Sequence, residues 1–404
     1  MTSPPGTATT TWRNWSGGLT FEPATVARPE SVAALCRVLR AAAEQAVTVR
    51  PVGAGHSSAP LVQTGDVLLS LDRLPAGVLE PPHNRQIWVG AGTRLHDLGR
   101  QLRHHGLAMP NLGDVDTQAF AGAVSTGTHG SGLGLPNLSA QVTGVRLVTA
   151  AGQPVQIDAD SDPDLLPAAQ VSLGVLGVFT ALRTRLVPAF QARRREWGLP
   201  VEACLTTFDE LLKVNRNVDF YWYPRRDDAH LRTVNPVTDD PGPDRLPGSG
   251  CTEERTGSSD AALIKRRSLR FHEIEYFVPA AAGPACFREV RHRIRTRHRE
   301  HAAWRVLYRY VAADQAFLSP AYGRDSITIS VHQNATLPYR EFFADVEPIF
   351  LAHDGRPHWA KIHRLEGRDL LARYPQADRF LAVRERLDPD GRFLTDYLRR
   401  LLGL

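Results

Sequence analysis

The amino-acid sequence predicts an α+β fold of two domains, and three observations carry that expectation. The chain has 404 residues, 42% of them hydrophobic, which suits two or three domains at about 100–200 residues each. Helical and strand-like periodicities follow one another irregularly rather than in a βαβ alternation. Composition then shifts near Pro188, where a glycine-punctuated first part gives way to strand-like pieces around a Pro/Gly/Asp/Ser-rich stretch.

Taken in order, residues 1–11 are rich in Thr, Pro and Gly, with neither a basic nor an apolar leader region. They read as a disordered tail rather than a signal peptide. Residues 31–45 predict an amphipathic helix, because Val32, Leu35, Val38 and Leu39 recur at 3/4 spacing. Short β-branched runs at 47–52, 67–71 and 87–90 predict strands, and 94–105 a second helix ended by Gly106. Residues 141–158 read as a hairpin about Ala151-Gly152, and 171–187 as an apolar stretch with glycines at 174 and 177. Beyond Pro188, strands are expected at 218–223 and 271–278, around a mobile surface loop at 235–259. A helix at 284–301, a strand at 327–332 and a closing helix at 394–402 complete the chain.

Several function classes drop out. No apolar run reaches the roughly 18 residues of a membrane-spanning helix, and the expected compartment is the cytoplasm. The net charge is +5, but 45 of the 48 basic residues are Arg, a skew that suits codon bias better than polyanion binding. The densest basic stretch, 288–299, carries Val290 and Ile294 at helical spacing and no stacking aromatics. It reads as a solvated helix face, so no nucleic-acid partner is expected. Cys36, Cys204, Cys251 and Cys286 are far apart and form no CxxC pair, against structural zinc or a disulfide framework. Gly53-Ala54-Gly55-His56-Ser57 lacks the Lys of a P-loop, Gly90-Ala91-Gly92 lacks the third glycine of a dinucleotide fingerprint, and Gly130-Ser131-Gly132 is no nucleophile elbow.

Two glycine loops remain, each carrying a His and hydroxyl residues. The first, Gly53-Ala54-Gly55-His56-Ser57, follows a strand directly. Its glycines allow close backbone approach, and successive N–H groups there can nest a pyrophosphate, although an ordinary turn has the same composition. The second runs from Ser125 through Thr128, His129, Gly130 and Ser131 to Gly132. It can wrap a flat polar ligand or be a tight loop.

With these loops, the opening Trp12-Arg13-Asn14-Trp15-Ser16-Gly17, the Asn111-Leu112-Gly113-Asp114 run, His358-Trp359-Ala360-Lys361 and the closing Leu387 to Leu394 segment occur in order along nearly the whole chain. In these the chain resembles the FAD-linked oxidases of the vanillyl-alcohol oxidase superfamily, and within it the aldonolactone oxidase and alditol oxidase branch. The resemblance implies a two-domain FAD-binding fold of the PCMH type. An FAD domain would span 12–187, a cap or substrate domain 188–345, and a segment 346–404 would complete the flavin site. It also implies that Gly53, Ala54, Gly55 and Ser57 hold the FAD pyrophosphate. His56 would attach the flavin covalently at its C8-methyl, or hydrogen-bond a non-covalent FAD. Ser125, Thr128, His129, Gly130 and Ser131 would line the flavin with His358, and Val178 would hold the adenine by its backbone or simply serve as core strand.

The implied reaction is oxidation of a CH–OH group in an alcohol or lactone, most simply an aldonolactone or other sugar-type alcohol. Hydride passes to flavin N5, and O2 or another acceptor takes up the electrons, O2 giving H2O2. The alternative is a tailoring oxidase or dehydrogenase for a bulkier, less hydroxylated alcohol. Arg309 and Lys361 would bind and polarise the substrate oxygen; a surface Lys is the plain alternative for Lys361. His332 would accept the hydroxyl proton or play a structural part. Leu307 stands where the branch's Glu-x-Arg pair has its Glu, which leaves Arg309 without a carboxylate and disfavours small polyols, unless Glu275 supplies the charge. Ala360 replaces a more usual Gly, which is tolerated unless its φ is positive.

Overall fold

The computed structural model describes residues 11–241, 250–265 and 269–404. All of the expected tail but Thr11, and residues 242–249 of the expected loop, lie outside them.

The first part of the chain folds much as its periodicities require. Helix Val32–Glu44 buries Leu35, Cys36, Leu39 and Ala42 on one face, and the Ser31 hydroxyl caps it by accepting from Ala34 N–H. Strands Thr25–Ala27, Val67–Ser70 and Val49–Val52 form a parallel sheet in that spatial order. The expected hairpin is present as Val142–Val148 paired with Pro154–Asp158. It extends into an antiparallel sheet of order Gln86–Gly90, Val178–Arg185, Val142–Val148, Pro154–Asp158. Helix Leu95–His104 packs on this core through Leu95, Leu98 and Leu102. The chain returns to the same core at its end, where Trp359, Phe380, Phe393 and Leu398 join it.

Between these lies a second core on an eight-stranded antiparallel sheet. Its order is Cys251–Ser258, Gln191–Pro200, Asp228–Pro236, Asn217–Tyr223, Val306–Val311, Ser326–Asn334, Phe271–Pro279, Arg356–Pro357. Helices Val201–Val214, Gly283–Arg293 and Arg340–Ala352 contribute Phe208, Phe287 and Phe343 to this core. Successive strand residues point to opposite faces. Ile274, Tyr276, Val306, Tyr308, Ile329 and Val331 therefore meet the helices, while Glu273, Glu275, Leu307, Arg309 and His332 line a cavity on the other side. This alternation positions the site.

Three expectations change. Within 235–259, residues Cys251–Ser258 are an edge strand paired to Gln191–Pro200, not a loop. Its exposed charged residues suit an edge. The helix expected over 284–301 is α-helical at Gly283–Arg293 and π-helical at Ile294–His298. Its basic side chains pair at home, Arg288 with Glu202, Arg291 with Asp227, and Arg293 and Arg297 with Asp345. A domain boundary at 345 falls inside helix Arg340–Ala352, whose Phe350 still packs in the second core. No helix among the described residues is long and apolar enough to cross a membrane, and the four cysteines are unpaired.

Candidate active site

Strand Val49–Val52 delivers the Gly53–Ser58 loop to the mouth of a cavity of about 1540 Å³, part of it open to solvent. A Cβ on Gly53 would lie 2.6 Å from that of Ala119, and Gly55 has φ +66° with its Cβ position 2.9 Å from the Trp12 ring. Only glycine leaves the backbone bare here. The loop is pinned from outside, by Ser58 N–H to Ala360 C=O at 2.7 Å and Asn14 Nδ2 to Ser57 C=O at 2.9 Å. The amides of Gly53, Ala54, Gly55, His56 and Ser57 find no acceptor within the described chain. A run of unpaired N–H groups is what a pyrophosphate needs, so this cradle fits FAD. Behind it, buried Arg50 donates to the carbonyls of Leu61, Leu173, Gly174 and Phe393 and ties the loop region to the turn before strand Val178–Arg185 and to the C-terminal segment.

His56 stacks on Trp15 with ring centroids 5.1 Å apart, and its Nε2 lies 2.7 Å from Thr117 Oγ1, which leaves Nδ1 for any covalent bond. Burial, aided by the charges of Lys361 and Arg94, lowers its pKa to about 4. The ring is therefore neutral at pH 7 and has a nucleophilic lone pair.

Most of the residues anticipated from the sequence meet on this one cavity: Gly53, Ala54, Gly55, His56, Ser57, Ser125, Thr128, His129, His332, His358, Arg309, Leu307 and Lys361. Gly130, Ser131 and Val178 are not on its wall. Ser131 Oγ donates to Val218 C=O and accepts from Tyr310 N–H at 3.1 Å, fastening the large sheet to this loop. A Cβ on Gly130 would lie 2.4 Å from Leu112 C=O, so close packing explains that glycine. Val178 is fully buried in the ladder opposite Val148, and it is neighbouring Gly177 that reaches the cavity. Ala360 is absent from the positive-φ residues, so it replaces glycine without strain.

At the far end, adjacent strands align their side chains in rows. Leu307 pairs in register with Ser330, and Ser330 with Glu275. Oε1 of Glu275 accepts from Arg309 Nη2 at 2.6 Å, Ser330 Oγ at 2.7 Å and His129 Nε2 at 3.2 Å. Burial opposes the Glu275 charge, but Arg309 and His129 outweigh it and hold the carboxyl well below the usual range. The carboxylate expected to be missing at 307 is thus supplied two strands away, which overturns the expectation that Arg309 lacks an acid partner. Glu273, in the next row, pairs with Lys361 and lies 3.2 Å from Nε2 of its cross-strand neighbour His332.

His358 Nδ1 accepts from Ala360 N–H at 3.1 Å, and burial lowers the ring's pKa to about 3. Nε2 therefore carries the hydrogen and is a donor. His129, Glu275 and His358 could in number hold a metal ion. Arg309 already occupies Glu275, and an amide hydrogen occupies His358 Nδ1, so the set suits a polar organic ligand instead.

Sequence reasoning missed Glu273 and Arg50 and reached Glu275 only as an alternative. The available signal was the alternation Phe271, Glu273, Glu275, Phe277, which puts two carboxylates on one face of an otherwise apolar strand.

Comparison with known proteins gives consistent results. A family model described as FAD binding domain matches residues 23–158, and one described as D-arabinono-1,4-lactone oxidase matches 182–250 and 247–401. The chain is 35% identical to an L-gulono-1,4-lactone dehydrogenase of Mycobacterium tuberculosis, over 97% of this chain and 99% of that one. It is 32% identical to an alditol oxidase of a Streptomyces species (96% and 98%) and 27% identical to an L-gulonolactone oxidase of Scyliorhinus torazame (98% and 99%). Among solved structures, a cholesterol oxidase of B. sterolicum superposes with a TM-score of 0.85 at 17% identity, covering 99% of each chain. That last likeness is one of fold. With an FAD-binding domain at its start and this match over the rest, the chain belongs to the D-arabinono-1,4-lactone oxidase family.

Proposed function

We propose that this chain is an FAD-dependent oxidase of an aldonolactone or another sugar-type alcohol. The observation that carries the reading is a single continuous cavity. It begins at the bare amides of Gly53–Ser57 and ends at fixed donors and an acceptor from Arg309, Glu275, His358 and Lys361. Such an end suits a substrate dense in hydroxyls, because each hydroxyl needs a donor and an acceptor when it leaves water. The relatives, named as acting on gulonolactones and alditols, support the same substrate class.

FAD, when bound, supplies the acceptor for the hydride leaving the substrate carbon. The protein does the rest. The amides of Gly53–Ser57 would hold the pyrophosphate, Ser125, Thr128 and His129 would line the ring system, and His56 would anchor it through Nδ1. A covalent anchor at His56 would take one hydrogen from the methyl group it joins and one from the imidazole, with O2 as the two-electron oxidant. Arg309 donates to substrate oxygen while Glu275 accepts from neighbouring hydroxyls. Lys361 and the His358 Nε2–H stabilise the negative charge that develops as the hydroxyl proton leaves. The substrate loses a hydride and a proton to become a carbonyl compound, and O2 takes the two electrons and two protons to give H2O2. The names of two relatives support O2 as acceptor, while the mycobacterial one is named a dehydrogenase. We place the enzyme in the cytoplasm and its FAD domain at 12–187, with the cap ending after helix Arg340–Ala352. A screen of aldonolactones, alditols and bulkier secondary alcohols, read by flavin bleaching without air and peroxide release in air, tests the substrate class and the acceptor separately.

A further inference from the structure

Glu273 lies on the cavity wall, yet it belongs to neither the flavin cradle nor the Arg309–Glu275 pair. Its side chain is 5% exposed, and its two oxygens reach two different elements. Oε2 takes the ammonium of Lys361, on the turn after the short strand Arg356–Pro357, and Oε1 faces His332 Nε2 at 3.2 Å. The other ring nitrogen of His332, Nδ1, lies 3.0 Å from Arg305 C=O. Both neighbours of this ring are acceptor oxygens, so each nitrogen that carries a hydrogen has a partner to hold it in place. Both ring nitrogens thus face protein oxygens, and neither is turned to a substrate. Among the described residues the Lys361 ammonium has no second carboxylate, so nothing but Glu273 fixes the end of its long stem. Burial works against the Glu273 charge, but Lys361 and His332 outweigh it and keep the carboxyl ionised.

We propose that Glu273 is a positioning residue, a buried carboxylate clamp that holds Lys361 and His332 in fixed relation at the substrate end of the cavity. The clamp fixes the Lys361 ammonium beside the oxygen on which negative charge develops. It also gives His332 a holding role in place of the proton acceptor's role anticipated from the sequence. This inference rests on the oxidase reading above.

The test uses holoenzyme carrying Glu273→Gln, and Glu273→Asp, which keeps the buried charge but shortens the reach by one methylene. Misplacing a reactive group by about 1 Å can cost roughly 100-fold in rate. Glu273→Gln should therefore lower kcat by about that factor while KM, set by Arg309 and Glu275, moves far less; Glu273→Asp should fall between it and the parent. A second readout is independent of turnover. The chain has only three lysines, Lys213, Lys265 and Lys361, so acylation by an amine-reactive reagent can be followed at each by peptide mass, with exposed Lys213 as internal reference. Labelling of Lys361 relative to Lys213 should rise in both variants. In a cycle with His332→Asn, the double variant should lose little more than Glu273→Gln alone. Parental kcat, unchanged Lys361 labelling in both variants, or losses that multiply in the double variant would each overturn the clamp. A parent enzyme that no sugar-type alcohol reduces would instead overturn the function proposed above, and the labelling would still report on the clamp.

Discussion

Glu275→Gln is the sharpest perturbation of the substrate-binding end. In the parent, one oxygen of a carboxylate only 1% exposed accepts from Arg309, Ser330 and His129. The amide removes the negative charge and leaves the Arg309 guanidinium, 8% exposed, with only neutral acceptors in contact, the glutamine carbonyl and His129 C=O at 3.4 Å. Breaking a buried ion pair by removing one partner costs about 3–5 kcal/mol, because the surviving charge stays buried and uncompensated. At roughly 2–4 °C per kcal/mol for a chain somewhat smaller than this one, the holoenzyme should melt several degrees lower. Losing a charged acceptor for substrate hydroxyls costs about 1.5–3 kcal/mol more at the transition state, roughly 10- to 150-fold in kcat/KM. The assay is thermal unfolding and steady-state kinetics of the parent, Glu275→Gln, Arg309→Met and the double variant at equal flavin content. The double variant should be more stable than the sum of the singles allows, since removing both charges leaves neither stranded. Additive losses, or a single variant that melts and turns over like the parent, would refute the pairing.

Further outcomes follow from individual residues. His56→Ala should bind FAD that acid precipitation releases, whereas the parent should keep its colour and show an intact mass raised by about one FAD; release of all flavin from the parent would contradict the covalent anchor. Lys361→Ala should lower kcat by about 10²–10³ with flavin content unchanged, as expected for a donor that acts on developing charge. Asp314 is buried, which raises its pKa from 3.8 to about 6 against the hydrogen bonds from Ser319 and the Ala316 amide. A carboxyl raised in the folded state stabilises fully below its unfolded pKa and loses that contribution as pH climbs to about 6. Asp314→Asn should therefore gain roughly 2–3 kcal/mol relative to the parent between pH 4 and pH 7, measured as the difference in unfolding free energy across that window; a constant difference would contradict the burial argument.

Local pattern made some of this molecule legible and long-range pairing hid the rest. Helix Val32–Glu44 could be read because four apolar residues on one stripe suffice to specify it, and the Gly53 loop because glycine between a strand and a His has few other uses. The family resemblance rested on such local strings. Strand Gln191–Pro200 went unread because it carries Arg193, Arg194, Arg195 and Glu196; Arg194 and Glu196 pair within the strand, but Arg193 and Arg195 fit a sheet only when Asp240 and Glu254 arrive from elsewhere in the chain. Cys251–Ser258 looked like loop for a related reason: an edge strand keeps a charged, exposed sequence. The partner of Arg309 was hidden by the same distance, since Glu275 is 34 residues away and meets it across an intervening strand. The motif around Gly130 and Ser131 suggested ligand contact, and the contacts the structure shows for them are packing between layers.

The most direct test of the central claim is anaerobic mixing of the purified holoenzyme with an aldonolactone such as L-gulono-1,4-lactone, followed by admission of air. The prediction is that the oxidised flavin absorbance bleaches at a rate that saturates with substrate, and that air restores it with release of one H2O2 per turnover. Flavin that stays oxidised with every aldonolactone and alditol offered, while a bulky alcohol with a single hydroxyl bleaches it, would contradict the claim that Arg309 and Glu275 form a site for sugar-type substrates.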